Sequence, residues 1–233
     1  MTGQGLRNTA RQATRCLTLL AAATAASSAL AYEAGDIFLR AGPALVAPND
    51  DSGALIVNGT AVPGTGVEVD DGFALGITLN YMLTPNLGVE LLASTPFEHD
   101  INDKGLGIGK IAEISHLPPT LSLQYYPLAS DSWIQPYVGV GVNYFLVLDE
   151  DLSSGFEAAV GPGSLEVDDS WGLAAQLGVD VALNERWSVN AALWYIDVET
   201  EATIRTQTVG FERIDVDVDV NPFAWMVGLS YRF

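Results

Sequence analysis

Alternation with a period of two runs through nearly the whole chain, and it narrows the fold more than any other feature. From Trp171 to Ala182 the odd positions are Trp171, Leu173, Ala175, Leu177, Val179 and Val181. The even positions are Gly172, Ala174, Gln176, Gly178, Asp180 and Ala182. Leu75, Ile77, Leu79 and Tyr81 alternate in the same way with Ala74, Gly76, Thr78 and Asn80. Successive residues of a strand point to opposite faces, so this pattern describes strands whose two faces meet different solvents. No helical period competes with it. The reading gives eight strands, at roughly 36–47, 72–83, 87–97, 113–126, 133–147, 169–183, 187–203 and 212–233.

The connections sort into two kinds. Thr84-Pro85-Asn86, Pro127 to Ser132 and Asn184-Glu185-Arg186 are tight and rich in turn formers, whereas 48–71, 98–112, 148–168 and 204–211 are long. Short and long connections alternate along the chain. Outer-membrane barrels show this order, with short periplasmic turns and longer extracellular loops. The expected fold is therefore all-β, an eight-stranded antiparallel up-and-down transmembrane β-barrel. A soluble lipocalin-like barrel would place the large apolar set inside. Here the partner set is rich in Gly, Ala and Thr, which suits the crowded lumen of a narrow barrel. An immunoglobulin-like sandwich runs nearer ~100 residues, and its variable kind brings a cysteine pair that this sequence lacks.

The first 31 residues predict an export signal. Arg7, Arg11 and Arg15 form a basic region, Cys16 to Ala26 a short apolar one, and Ala29-Leu30-Ala31 a cleavage site. The expected division is thus a cleaved signal peptide over 1–31 and a single barrel domain over 32–233. The mature chain would carry seven basic and 29 acidic residues, a net charge of −22, and no cysteine. Disulfide and thiol chemistry are then excluded. The charge argues against nucleic acid, whose binding depends on Lys and Arg neutralising phosphates.

Chemistry-bearing constellations are sparse. Only two histidines occur, His99 and His116. Ser115 adjoins His116 but faces the other side of a strand; Ser94 and His116 could meet across strands, a thin basis for catalysis. There is no His/Cys cluster with metal-ligand spacing and no phosphate-cradling glycine motif, so neither metal nor cofactor is expected. Acidic runs occur at Asp149-Glu150-Asp151, at Glu166 with Asp168-Asp169, and at Asp215, Asp217 and Asp219. They read as solvated faces, although oxygen-rich clusters can also bridge through divalent cations to lipopolysaccharide.

Several segments resemble the OmpW family of outer-membrane proteins. They are Gly35–Gly42 (GDIFLRAG), Gly88–Phe97 (GVELLASTPF), His116–Thr120 (HLPPT), Pro136–Tyr144 (PYVGVGVNY), Asp168–Asp180 (DDSWGLAAQLGVD), Val189–Val198 (VNAALWYIDV) and Asn221–Phe233 (NPFAWMVGLSYRF). The resemblance covers about residues 33–233 and thins in the loops 48–71 and 148–168. It implies a monomeric barrel for small hydrophobic molecules, with an apolar lumen narrowed by a Leu and a Trp, which match Leu92 and Trp194. The terminal strand, aromatic on one face and ending in Phe233, looks like the signal read by the outer-membrane assembly machinery. Outer-membrane lipid, lipopolysaccharide, that machinery and a small hydrophobic ligand are the expected partners.

The inward face follows from the residues that cannot face lipid, where a charge costs ~2–4 kcal/mol at midplane. Arg40, Glu90, Asp180 and Arg232 must point inward, with Asn80, Gln124, Gln176 and Asn190. All lie near the periplasmic end and predict a paired polar plug. Above them the same face turns apolar, at Val46, Leu92, Pro96, Phe145, Trp194, Ile196, Val218 and Val220. This predicts a hydrophobic pocket on a polar floor, unless these side chains merely fill the barrel as interior residues do. Pro96, Pro118, Pro119 and Pro222 each remove a ladder donor. They either weaken strand pairing enough for a lateral exit, or simply end strands and make bulges. A structural or adhesion barrel with a filled lumen and acidic loops is the alternative function.

Overall fold

The computed structural model describes residues 31–49 and 51–233. The expected signal peptide lies outside the described residues except for Ala31.

Strand β1 (Ile37–Ala47) opens the barrel and is followed by four short strands, β2 (Asp51–Ser52), β3 (Ile56–Val57), β4 (Thr60–Ala61) and β5 (Gly66–Val69). Next come β6 (Gly72–Thr84), β7 (Leu87–Ser94), β8 (Phe97–Lys104), β9 (Lys110–Leu117) and β10 (Thr120–Tyr125). The longest strand, β11 (Ile134–Leu152), leads into a helix of about two turns, α1 (Ser154–Val160), capped by the Ser153 side chain. The remainder is β12 (Gly163–Val167), β13 (Ser170–Ala182), β14 (Trp187–Ile196), β15 (Glu199–Thr206), β16 (Arg213–Asp219) and β17 (Phe223–Arg232).

Eight of these strands close on one another in the order β10-β7-β6-β1-β17-β14-β13-β11, with β10 pairing β11 to complete the ring. Every pairing is antiparallel. Closure leaves no sheet edge in the ring, which is what lets a β-structure stand in hydrocarbon. At the β1–β17 seam the backbones approach closely at Gly42 and Gly228. A β-carbon on Gly42 would lie 2.1 Å from the Val227 carbonyl oxygen, so glycine is what the seam requires there.

The two faces follow the sequence pattern. On β6, Phe73, Leu75, Ile77, Leu79 and Tyr81 are exposed, while Gly76, Thr78, Asn80 and Met82 are buried. Exposed apolar rows of this kind recur on β13 with Leu173 and Leu177 and on β17 with Val227 and Leu229. An aqueous surface would not carry them, and a lipid-facing band does. Aromatic pairs mark its two margins. Tyr144 with Trp171 (4.7 Å) and Tyr195 with Phe223 (5.3 Å) sit at the upper margin; Trp187 with Tyr231 (4.9 Å) and Tyr231 with Phe233 (5.0 Å) sit at the lower. Such rings favour the interface between hydrocarbon and headgroups.

The long connections prove to be largely strand. The expected loop 98–112 is the β8–β9 hairpin, extended by β5. The 148–168 segment continues β11 and then forms α1 and β12, and 204–211 is the tip of the β15–β16 hairpin. A second sheet, β12-β15-β16-β3-β4 with β2, stands above the barrel on the opposite wall. The strands expected at 87–97 and 113–126 each divide at their prolines, into β7 and β8 and into β9 and β10.

Candidate functional site

The lumen divides into two zones, and the lower is ionic. Arg40 is fully buried and bonds Glu90 at 2.6 Å through Nη1 and Asp180 at 2.6 Å through Nη2. Its Nη2 also donates to the Tyr126 hydroxyl at 3.0 Å. Gln124 donates to Gln176 (2.9 Å), Gln176 to Glu90 (2.8 Å) and Asn190 to Asp180 (2.8 Å), while Asn80 donates to Gln124. One cation thus answers two carboxylates, and amides take up the remaining lone pairs, which is the condition for tolerating such charges in a narrow interior.

Arg232 departs from the expectation that placed it in this layer. Its partners include Asp36 at 3.5 Å and the Ala31 carbonyl at 2.7 Å, and it lies partly exposed at the periplasmic rim. The reason is distance along the strand, since Arg232 is the last residue of β17 and pairs with Phe38 below Arg40. The space it leaves is taken by aromatic residues. Tyr32, Phe38, Met82, Tyr126 and Tyr137 form a buried cluster beneath the network. Tyr137 lies 5.1 Å from the Arg40 guanidinium, and the Tyr32 hydroxyl donates to Asp180 at 3.0 Å. The floor is therefore a charged layer over an aromatic one.

Above the floor the lumen is hollow. A cavity of about 380 Å³ extends from Leu92, Trp194 and Met226 up into the space enclosed by the extracellular strands and α1. Val46, Phe145, Ile196, Val218 and Val220 are among the residues that line it, and Leu92 and Trp194 sit at its base. Among the described residues its lining contains no Asp, Glu, Lys or Arg, in a chain with 29 acidic residues. Pro96 does not line it. Thr95 and Pro96 are both exposed, so the strand slips one residue there, and Phe97 and His99 take the inward positions in place of Pro96 and Glu98.

Sequence parity alone did not single out Met226, which completes the base. A β-carbon on Gly76 would lie 2.7 Å from its sulfur, so Gly76 makes the room that Met226 fills. Nor did it reveal the vestibule, to which Leu55, Val67, Ile111, Phe156 and Leu165 come from segments expected to be loop and Ile214 from the strand expected at 212–233. The alternation of Val218 with Asp217 and Asp219 is read from the sequence, whereas the two-residue strands β2 and β3 and the short helix α1 that complete the vestibule hold too few residues to show a period.

One wall of the ring is interrupted. β7 and β10 pair up to Leu92↔Thr120, and β8 and β9 pair from Phe97↔His116. Between these, residues 93–96 face 117–119 with no paired position. Thr95 turns its N–H to Leu75 on one side, and the Pro119 carbonyl accepts from Tyr144 on the other. Ser94 and Pro118 line the cavity at this break, so it borders the pocket directly.

Both histidines lie at and above the upper aromatic margin on the same wall. His99 and His116 stack with centroids 5.0 Å apart, flanked by Phe97 and Phe145. Burial pushes the His116 imidazole down to about 3, with the neighbouring His99 adding to the effect, and burial lowers His99 as well. Both are neutral near pH 7. Ser94 Oγ and His116 Nδ1 each lack a partner, so no Ser–His hydrogen bond forms. Among the described residues no group of three or more His, Asp, Glu or Cys is placed to hold a metal.

This geometry has close counterparts. The OmpW family model matches residues 33–233. Outer membrane protein W of Vibrio cholerae is 40% identical over 223 residues, spanning 94% of this chain and 99% of that protein. The crystal structure of OprG from Pseudomonas aeruginosa superposes with a TM-score of 0.84 at 45% identity, covering 88% of this chain and 98% of that one. The solid-state NMR structure of outer membrane protein AlkL gives a TM-score of 0.65 at 26% identity, covering 87% and 92%.

Proposed function

The chain belongs to the OmpW family and sits in the outer membrane as an eight-stranded barrel, and on that premise we propose that it binds and conducts small hydrophobic molecules through its upper lumen. The observation that carries this reading is the apolar cavity of about 380 Å³, which falls within the ~300–1,000 Å³ range of small-molecule sites. A filled structural barrel would have no such void. The ionic floor blocks a straight path to the periplasm, so the cargo leaves sideways through the break at Ser94 and Pro118 into the bilayer. Leu92 and Trp194 are the ledge on which it rests before doing so.

The mature chain offers no native thiol, which makes a cross-link test clean. A Ser94→Cys/Pro118→Cys pair bridged by a short bis-maleimide is expected to abolish uptake of an apolar fluorophore by cells while leaving assembly intact. Uptake at the unbridged rate would rule out the lateral route. Absence of any bound apolar probe in the uncross-linked protein would rule out the conduit itself.

Assembly depends, in this reading, on the chain end. Phe233 is exposed, bonds Ile37 through its backbone N–H at 3.1 Å, and contributes little to the lumen. Its deletion is expected to reduce outer-membrane levels severalfold while leaving in vitro refolding into detergent unchanged, measured by membrane fractionation and by gel mobility. Normal membrane levels would remove the assembly role.

A further inference from the structure

We infer that the pocket is built for amphiphiles, an apolar body bearing one hydroxyl, and that the hydroxyl seats against the His99–His116 pair. The inference rests on the proposed function and adds to it the polar end of the cargo.

The two histidines are the only ones in the chain, and among the described residues they are the only titratable side chains on the cavity wall. Each is buried, and each keeps a ring nitrogen without a protein partner, Nε2 on His99 and Nδ1 on His116. Ser94 Oγ on the same wall is also unpartnered. Three of the eleven buried side-chain polar atoms that lack a partner among the described residues thus belong to neighbouring residues on one stretch of the cavity wall, where a bound group reached by a small turn of the imidazoles would supply the bonds.

The polarity of the missing partner can be read from His99. Its Nδ1 lies 2.6 Å from the Asp70 carbonyl oxygen, which can only accept. Nδ1 therefore carries the proton, and Nε2 presents a lone pair that needs a donor. No comparable contact fixes the tautomer of His116, so its Nδ1 can donate to the oxygen of the same group. A hydroxyl meets both demands at once, and a hydrocarbon meets neither. A carboxylate would find two neutral rings and a strongly acidic protein, with no cation on the wall among the described residues. The fold also keeps the space for the ring. A β-carbon on Gly72 would lie 2.6 Å from His99 Cε1 and 2.7 Å from Nε2, so the imidazole occupies room that any side chain at Gly72 would take. The flanking Phe97 and Phe145 rings extend the stack and favour a flat aromatic body.

The test compares naphthalene with 1-naphthol, which is un-ionised at neutral pH, on the mature barrel in lipid nanodiscs, with empty nanodiscs as the partition blank. In the wild type both bind. In His99→Phe/His116→Phe the affinity for 1-naphthol is expected to fall about tenfold relative to that for naphthalene, which stays within about twofold. Equal changes for both ligands, or no change for 1-naphthol, would overturn the inference and leave the hydrophobic pocket standing. Binding of neither ligand to the wild type would instead overturn the proposed function. A second measurement needs no variant. Imidazole 15N shifts of the wild-type protein should move at His99 Nε2 with 1-naphthol and stay fixed with naphthalene, and the same shift with both would also overturn the inference.

Discussion

Replacing Arg40 with methionine is expected to lower the unfolding free energy of the refolded barrel by about 3–5 kcal/mol. Arg40 has no solvent exposure and is the single cation among Glu90 and Asp180, each bonded at 2.6 Å. Methionine is close in volume to the arginine stem, so packing changes little. What changes is that two carboxylates remain in a closed interior with only neutral amides and hydroxyls around them. Leaving a buried charge uncompensated is costlier than never having the pair. The sharper part of the expectation is therefore the rescue. Arg40→Met/Glu90→Gln/Asp180→Asn removes the charges together, and it should recover most of the loss in a urea titration of the barrel in lipid vesicles. A triple variant as unstable as the single one would mean that the arginine acts through packing against Tyr137 and Phe38 and not through charge. An unchanged single variant would remove the ionic floor as a stabilising element altogether.

That floor was legible because lipid is an unforgiving solvent. Once Arg40, Glu90 and Asp180 are barred from the outer face, strand parity carries Asn80, Gln124, Gln176 and Asn190 inward with them, and all are buried as a connected set. Leu92 and Trp194 follow from the same parity. Parity fails where the strand itself slips. Thr95 and Pro96 both face outward, which moved Pro96 out of the lumen and brought His99 in. No residue pattern marks such a slip in advance, because proline is compatible with a strand end, a bulge or a continued edge. The aromatic underside was hidden for another reason. Tyr126 and Tyr137 lie at strand ends beside short turns, where tyrosine serves equally well as an interfacial anchor or as buried filler, and only the register decides. The vestibule escaped because long connections between spanning strands carry no requirement to be irregular. Only the pairing of β2 and β3 with β16 and of β5 with β8 brings Leu55 and Val67 from the connection 48–71 to the cavity wall.

Trp194→Ala is expected to cost about 3–5 kcal/mol in stability and to change which molecules the pocket accepts. Trp194 is 1% exposed and fills the base of the cavity beside Leu92 and Met226, paired across the sheet with Gln176 and Ala224. Truncation to a methyl group removes the indole without a neighbour able to replace it. Its flanking strands are held in register by the β13 and β17 ladders, so the wall cannot collapse inward and the void persists. The cavity should then deepen towards the layer of Gln176 and Asp180, a polar surface that an apolar ligand does not wet well. Two effects follow. A ligand of naphthalene size loses the flat surface against which it packs and should bind several-fold more weakly. A longer one such as pyrene gains depth, so the ratio of pyrene to naphthalene affinity should rise. Trp194→Phe keeps a ring at the same level and should retain most of both stability and selectivity, which separates loss of the ledge from general loosening. Competition of the two hydrocarbons for a bound fluorophore in nanodiscs reads the ratio directly. If Trp194→Ala assembles normally and neither affinity nor uptake changes, the residue is interior filler and the ledge between floor and pocket lies elsewhere.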